Sequence, residues 1–442
     1  MFPYLRVAAL NLTLQKRRSA LLGLAIAIVT LLLLLLLAFV GGVTFNLTQA
    51  ALTISTGHVN LGGFVKTRID RAQAVITGTD RLLPIIQQTL PDIDYVLGRG
   101  RGWGRVISPQ SSLNTSLIGI DWNDLQRMPA LKLLSQIKDA SGMPDPKVFQ
   151  AGAGAILFKG QAERLQVTIG DVVTFVTESN GGATGTADLT VVGIASDLGF
   201  LSNFSIVVAA STISRLYNFD PNTTTGALHI YLKDIRKAPS AMESLRTKLM
   251  EAGYEVLSHD PQPFFLKFRR IISEDWKGSK LDLTIWEDEV SFLYWIITSL
   301  NGLSIFLIAV LGMIIAVGIA NTTWMSVRER TREMGTLRAI GMEKHQVMLL
   351  YLIEAVMLGF LSSGFGALLS YLLVYILNLS QIQVSSSDLR AFLMSDSLSF
   401  VLSFAQLASS VGVISLLTGF AAAYPAWKAS RLEPVAALSH AS

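Results

Sequence analysis

The chain has 442 residues, 51% hydrophobic and 15% charged, with no cysteine and a formal net charge of +4. This balance points away from an ordinary soluble domain and toward a membrane protein. The positive surplus gathers at the ends of apolar runs, so it reads as membrane anchoring rather than nucleic-acid binding, and the lack of cysteine suits an oxidising compartment.

Residues 1–18 read as an amphipathic helix lying on the inner face of a membrane, with Lys16, Arg17 and Arg18 at its end. Residues 19–43 carry no charge and include seven leucines at 31–37. A helix needs about 20 apolar residues to cross a bilayer, so this is the first predicted span. It is not a cleaved signal peptide, because its core is too long and the following GGVTFNL offers no small-x-small site.

Residues 44–289 are long enough for one or two soluble subdomains and read as mixed α/β. TDRLLPIIQQTL (79–90) predicts a helix with Asp80 near its start. SLIGIDW (116–122) and ADLTVVGIAS (187–196) predict strands, and GDVVTFVT (170–177) alternates like a half-buried one. ESNGGATGTAD (178–188) predicts a hairpin or loop, and AMESLRTKLMEAG (241–253) an amphipathic helix ending on glycine. Boundaries near 110–115 and 222–226 make about 115–222 an inserted subdomain. His58 is expected to be a hydrogen-bonded structural residue. PFFLKF (263–268) puts Phe264, Phe265 and Phe268 outside the membrane, either as domain core or as candidate acyl-chain contacts.

Three further spans follow at 290–327, 347–378 and 398–424. The first contains 38 uncharged residues, more than a bilayer requires, and should protrude. Lysine and arginine cluster before span one, in segment 328–346, and after span four at Lys428 and Arg431. The 379–397 loop has only Arg390 against Asp388 and Asp396. Positive-inside bias therefore puts both termini in the cytoplasm and residues 44–289 outside it. Glu354 is an acid inside a span, which flags a functional position. It lies about 12 Å along the helix from Gln346, so pairing with Arg338 or Lys344 is the simpler expectation. Ser362, Gly366 and Ser370 repeat at four-residue intervals, as do Ser415, Gly419 and Ala423. Such small-residue faces let helices approach closely, within the chain or across a dimer.

No Gly-Lys dipeptide, His-Glu pair or G-x-S-x-G stretch occurs, so the P-loop, H-E-x-x-H zinc and nucleophile-elbow motifs are absent from the sequence, although folding can bring distant residues together. No catalytic, cofactor-binding or metal-ligating residue is expected in this chain, and energy should come from a partner.

RERTREMGTLRAIGMEKHQV, from Arg328 to Val347, resembles the cytoplasmic coupling helix of FtsX-like, or MacB-type, ABC transporter permeases. LIEAVMLGFLSSGFGALLSYLL (352–373) resembles the third span of that family, and YPAWKASRLEPVAALSH (424–440) its closing motif. TISTGHVNLGGF (53–64) resembles the stretch after span one in lipoprotein-releasing permeases of the LolC/LolE type. The resemblance implies a polytopic α-helical membrane protein, four spans with a large α/β extracytoplasmic domain between the first two. It implies ATPase-coupling contacts from Arg328, Glu329, Arg330, Arg332, Glu333 and Arg338. Met334 and Leu337 would be apolar anchors, and Gly335 and Gly341 would bound or bend the helix. It further implies a non-catalytic permease subunit of the bacterial inner membrane that works with two ABC ATPase subunits binding ATP and Mg. A second permease copy or related permease would complete the complex. The implied task is extraction or export of lipoprotein or another amphipathic substrate from the outer leaflet, with membrane lipid, lipoprotein or a periplasmic adaptor as contacts. The alternatives are drug or peptide efflux through an adaptor and outer-membrane duct, and mechanical signalling to a periplasmic enzyme. No nucleic-acid partner is implied.

Overall fold

The structure is a computed structural model and describes residues 7–8, 10–11, 16–68, 71–125, 127–128, 131–136, 147, 149–178, 184–384, 386–395 and 397–431. The chain divides into two units: a helical one of Met1–Val43, Ile297–Ile382 and Ser399–Ser442, and an α/β one of Thr44–Ile296 and Gln383–Leu398.

The first long helix, α1 (Lys16–Ile54), follows from its leucine run. It has 39 residues and runs 11 residues beyond the predicted span, into the segment expected to be soluble. Of the predicted amphipathic helix, Val7, Ala8, Leu10 and Asn11 are helical, and most of the remainder lies outside the described residues. The last turn of α1 has no basic residue of its own. Instead, the Tyr231 hydroxyl and Arg99 Nη2 donate to the Leu52 carbonyl at 2.7 and 3.2 Å. A cation there suits both the orphan carbonyls and the negative helix end.

The α/β unit then runs β1 (Val59–Arg68), β2 (Arg71–Gln73), β3 (Ile76–Thr77), α2 (Thr79–Thr89), β4 (Ile93–Ile107), β5 (Ser112–Ile120), β6 (Leu133–Gln136) and β7 (Gly154–Phe158). It continues with α3 (Lys159–Leu165), β8 (Val172–Glu178), β9 (Thr184–Ala195), β10 (Ser205–Ala209), α4 (Ala210–Tyr217), β11 (Thr224–Thr225), β12 (Ala227–Leu232), α5 (Ala238–Glu251), α6 (Phe264–Ser273) and β13 (Gly278–Ile285). The main sheet has the order β13-β1-β12-β4-β5-β10-β7-β9-β6, with β8 pairing β4 and β9. The 15-residue β4 holds it together: Ile93–Arg99 pairs with β12, and Gly100–Ile107 pairs with β5.

Two hydrophobic cores result. One sets Val59, Leu61, Ile230 and Leu283 against Leu82 and Ile86 of α2 and Leu245 and Leu249 of α5. The other draws on residues from Val106 to Leu216, with Phe175, Leu189 and Val208 packed against Leu165 of α3 and Ile213 of α4. His58 Nδ1 accepts from the Leu232 N–H at 2.9 Å, and burial pushes its pKa down.

Among the described residues, four helices are long and apolar enough to cross a membrane: α1, α7 (Ser291–Glu329), α9 (Lys344–Leu379) and α11 (Phe404–Ser430). Between α7 and α9 lies α8 (Thr331–Ala339). Between α9 and α11 the expected loop contains α10 (Ser387–Leu393), begun by Ser386, whose Oγ accepts from the Leu389 N–H. The expected end of span four also moves: α11 continues past Pro425 to Ser430. Proline removes a helix donor, but Ala426 and Ala429 pack against Val347 and Tyr351 and hold the extra turns in place. The small-residue faces pack within the chain. A side chain at Gly366 would run into the Ala27 carbonyl of α1, and one at Gly359 into Thr418 of α11. At Gly419 it would meet Val356 at 2.8 Å.

Candidate functional site

The charged connector occupies residues 328–343. α7 ends at Glu329, and Arg330, outside helical geometry at φ −104° and ψ 14°, turns the chain into α8. Arg328, Glu329, Arg332 and Glu333 are exposed. Arg330 differs from its expected outward role, because its side chain is only 15% exposed. Its Nε meets Glu333 at 3.0 Å, its Nη2 donates to Asn11 at 2.6 Å, and its Nη1 lies 3.7 Å from Glu354. Asn11 Nδ2 also donates to Glu354 at 3.2 Å. Glu354 thus finds its partner in Arg330, while Arg338 reaches the Ser430 carbonyl at 3.4 Å. Charge pairing decides this, because a carboxylate in a span must be neutralised nearby.

Gly335 is buried inside α8 and does not break it. Gly341 sits at φ 108°, where glycine is strongly favoured, and makes the turn that ends the segment. Met334 and Leu337 lie on the α8 backbone, but their side chains fall outside the described residues. One apolar residue was passed over in the sequence: Ile340, which is 80% exposed just before the Gly341 turn. The connector is therefore a short helix tied to α9 at its start and to α11 at its end, presenting Arg332, Glu333 and Ile340 outward.

A second feature lies in the α/β unit. The sequence LGRGRGWGR (97–105) alternates glycine with large residues. On a strand, alternate residues face opposite ways. Two of the β4 glycines face α4: a Cβ at Gly100 would meet Ile213 at 3.0 Å, and one at Gly102 would meet Tyr217 at 3.0 Å. The other face carries Arg99, Arg101 and Trp103 into a cleft of about 530 Å³. Sequence reading missed this stretch because glycine is depleted in strands, although its period of two was there to be read.

Aromatic rings wall the cleft. Phe265 meets Phe292 edge-on at 5.9 Å, and Phe200 bridges Phe292 and Phe204 at 6.3 and 5.0 Å. Phe264 stacks on Phe64 at 4.6 Å, with the Arg101 guanidinium 4.3 Å over its ring. Of the three phenylalanines singled out in the sequence, Phe264 and Phe265 line the cleft. Phe268 belongs instead to a small core with Phe64 and Ile271.

Behind the cleft lies a layer of buried charge. Lys267 Nζ holds both oxygens of Asp282 at 3.0 and 3.1 Å. Burial still pushes the Asp282 carboxyl up, against the pull of Lys267 and Arg101. Burial pushes Glu289 up as well, and its oxygens accept from Thr284 at 2.8 Å and the Phe264 N–H at 3.2 Å. His229, 1% exposed, is driven well below its usual range by burial, and the Arg99 and Arg101 charges add to this. Its ring nitrogens have no partner at hydrogen-bonding geometry, although the nearby Thr56 backbone opposes the shift.

Among known proteins, residues 19–248 match the MacB-like periplasmic core domain, and residues 304–434 match the FtsX-like permease C-terminal domain. The chain is 35% identical over 138 residues to the macrolide export ATP-binding/permease protein MacB of Syntrophobacter fumaroxidans, covering 30% of this chain and 17% of that protein. It is 31% identical over 204 residues to MacB of Bordetella avium, covering 46% and 25%. It is 38% identical over 68 residues to the ABC transporter permease YtrF of Bacillus subtilis, covering 15% and 16%. These matches span no more than a quarter of the relatives' own length. The periplasmic region of MacB from Actinobacillus actinomycetemcomitans aligns with a TM-score of 0.32 at 13% identity, covering 54% of this chain and 94% of that one.

Proposed function

The chain belongs to the family of ABC transporter permeases that joins a MacB-like periplasmic core domain to an FtsX-like C-terminal domain, and from that premise we propose that it is a force-transmitting subunit driven by separate ATPase partners. Two ATPase subunits bind ATP and Mg, and this chain supplies no catalysis of its own. It sits in a bacterial inner membrane with both termini cytoplasmic and the α/β unit periplasmic, an orientation supported by the basic connector between α7 and α9. Four spans are few for a transporter, so a second permease pairs with it. The open surface of α7 supports that, with Ile305, Met313 and Val317 each at least 65% exposed.

The observation that carries the reading is the connector, a tied-down helix with Arg332, Glu333 and Ile340 facing out. An apolar residue ringed by charges is the usual layout of an interface anchor. The substrate is amphipathic, with lipoprotein as the leading case. A lipid anchor of ~40 methylenes is held in a bilayer by on the order of 30 kcal/mol, so extraction needs an energised partner. The MacB relatives are named for macrolide export, which favours a second reading, efflux of a small drug.

The test uses the complex with its ATPase, reconstituted in lipid, scoring substrate-stimulated ATP hydrolysis and co-purification. Ile340→Asp and Glu333→Lys are each expected to lower coupled hydrolysis roughly tenfold or more, and Arg332→Ala less, because anchors carry more interface energy than rim charges. If the first two variants leave both readouts unchanged, the connector is only a topogenic basic loop. Stimulation by an acylated lipoprotein supports release, and stimulation by a macrolide supports export.

A further inference from the structure

We propose that the cleft of the α/β unit binds an amphipathic molecule with an anionic head, the Arg99 and Arg101 guanidiniums holding a carboxylate or phosphate while the aromatic wall holds an apolar tail. This deepens the transporter reading and rests on it for its biological use.

Stranded donors are the first support. Arg99 is 1% exposed. Its Nη2 is spent on Leu52 and Tyr231, yet among the described residues its Nε and Nη1 meet no hydrogen-bond partner, and neither does Arg101 Nη1. Buried polar atoms in native proteins are nearly always satisfied, so orphans call for a missing partner. Guanidinium has donors only, and its planar fork fits a carboxylate or phosphate. Shape is the second support. About 530 Å³ lies within the ~300–1,000 Å³ of pockets that enclose small ligands. Phe200, Phe204 and Phe265 remain 39%, 49% and 45% exposed around it, apolar surface that no described residue covers.

The sign of the charge excludes a cationic amphiphile. Glu289 is the only acid among the lining residues, and both its oxygens are already engaged. Place is the third support. Phe292 lies in the first turn of α7, just before the exposed Tyr294 and Trp295. Such aromatic pairs mark the water–lipid boundary, where amphiphiles are stored. Arg99 also caps α1 at Leu52, so the same guanidinium that would hold the head group touches the end of a membrane helix.

The experiment uses the full chain in phosphatidylcholine nanodiscs, with empty nanodiscs as the blank and tritiated dodecanoate as the probe. Saturable binding is expected, displaced by dodecyl phosphate and not by dodecylamine. Arg101→Gln should weaken it roughly tenfold or more, Arg101→Lys should recover part of it, and Phe265→Ala should weaken it with the thermal midpoint unchanged. Stronger displacement by the phosphate assigns the site to a lipid head group, weaker displacement to a free acid, and either supports the proposal. Binding no greater than the blank, equal displacement by the amine, or an Arg101→Gln chain that binds like the parent overturns it. Loss of binding with connector coupling intact sinks this proposal alone. Intact binding with silent connector variants sinks the transporter reading alone.

Discussion

Arg330 and Glu354 hold each other in a place where neither charge is well hydrated, with side-chain exposures of 15% and 16%. Removing one member breaks this pairing in a poorly hydrated place, while Arg330 keeps Glu333 and Asn11 and Glu354 keeps Asn11, so the cost is about 1–3 kcal/mol, below that of a fully isolated buried pair. Replacing both by apolar residues removes both charges from that place. Arg330→Met and Glu354→Leu should therefore each lower the thermal midpoint of the purified chain, and the double variant should regain most of the loss. A double variant as unstable as the sum of the singles would show that the two do not interact. His229 gives a second residue-scale expectation. Its folded pKa is lowered, so below the usual histidine pKa of about 6.5 the unfolded chain takes up a proton that the fold refuses. Stability then falls with pH by about 1.4 kcal/mol per unit. Asp282 and Glu289 are raised and run the other way, adding stability as pH falls through their folded values toward the usual carboxylate range. The readout is thus the difference between parent and His229→Gln between pH 7.5 and 5.5, with the shallower slope expected for the variant. That Glu354 needs a partner was legible from one acid in an apolar run. Its partner was not, because the choice among Arg330, Arg338 and Lys344 depends on how the chain turns at Arg330.

The helices and strands divide by how far their causes extend along the chain. Membrane-length helices need only local hydropathy, so their number and order could be read directly. Their ends could not. α1 runs on to Ile54 because Arg99 and Tyr231, distant in sequence, cap it, and α11 passes Pro425 because Val347 and Tyr351 hold its last turns. β4 was missed because its glycines answer to neighbouring elements, Gly100 and Gly102 to α4 and Gly104 to β8, rather than to strand propensity. The small-residue face on α9 was legible, but what it meets was not. The structure puts it against α1, where an ideal Cβ on Gly23 lies 3.8 Å from that of Ser362. This is close to the mean Cβ separation of a disulfide, about 3.8 Å, and the chain has no cysteine to interfere. Gly23→Cys with Ser362→Cys should form an intrachain bridge under mild oxidation, seen as a mobility shift without dimer. A dimer band alone would place that face between two chains instead.

At the scale of the molecule, the order of one span, an α/β domain and three spans was readable because a bilayer sorts residues by polarity, whereas the strand order was not, because β1 finds its partners at β12 and β13 far along the chain. The α/β unit has its own cores, so residues 44–289 should fold in solution with cooperative unfolding by circular dichroism. Starting instead at residue 56 should lower the midpoint, since it removes Leu52 from its contacts with Leu97 and Tyr231, worth about 1.5–3 kcal/mol for a buried leucine. An unfolded 44–289 fragment would mean the unit depends on its helices. The joint with those helices has a mechanical consequence. β1 begins where α1 ends, and β13 ends just before α7 begins, yet the two strands are antiparallel partners with Val59 opposite Ile285. Two helices pulling apart would open this pair from its end like a zipper, one rung at a time, rather than load all the rungs at once. The first rungs are laced shut: Asn60 bonds to Gly57, Thr56 and Thr284, and the Trp286 N–H reaches the His58 carbonyl at 3.2 Å. The joint therefore resists spreading where it is weakest, and the motion it can pass on is one in which both helix ends travel together, as the two legs of a single stirrup.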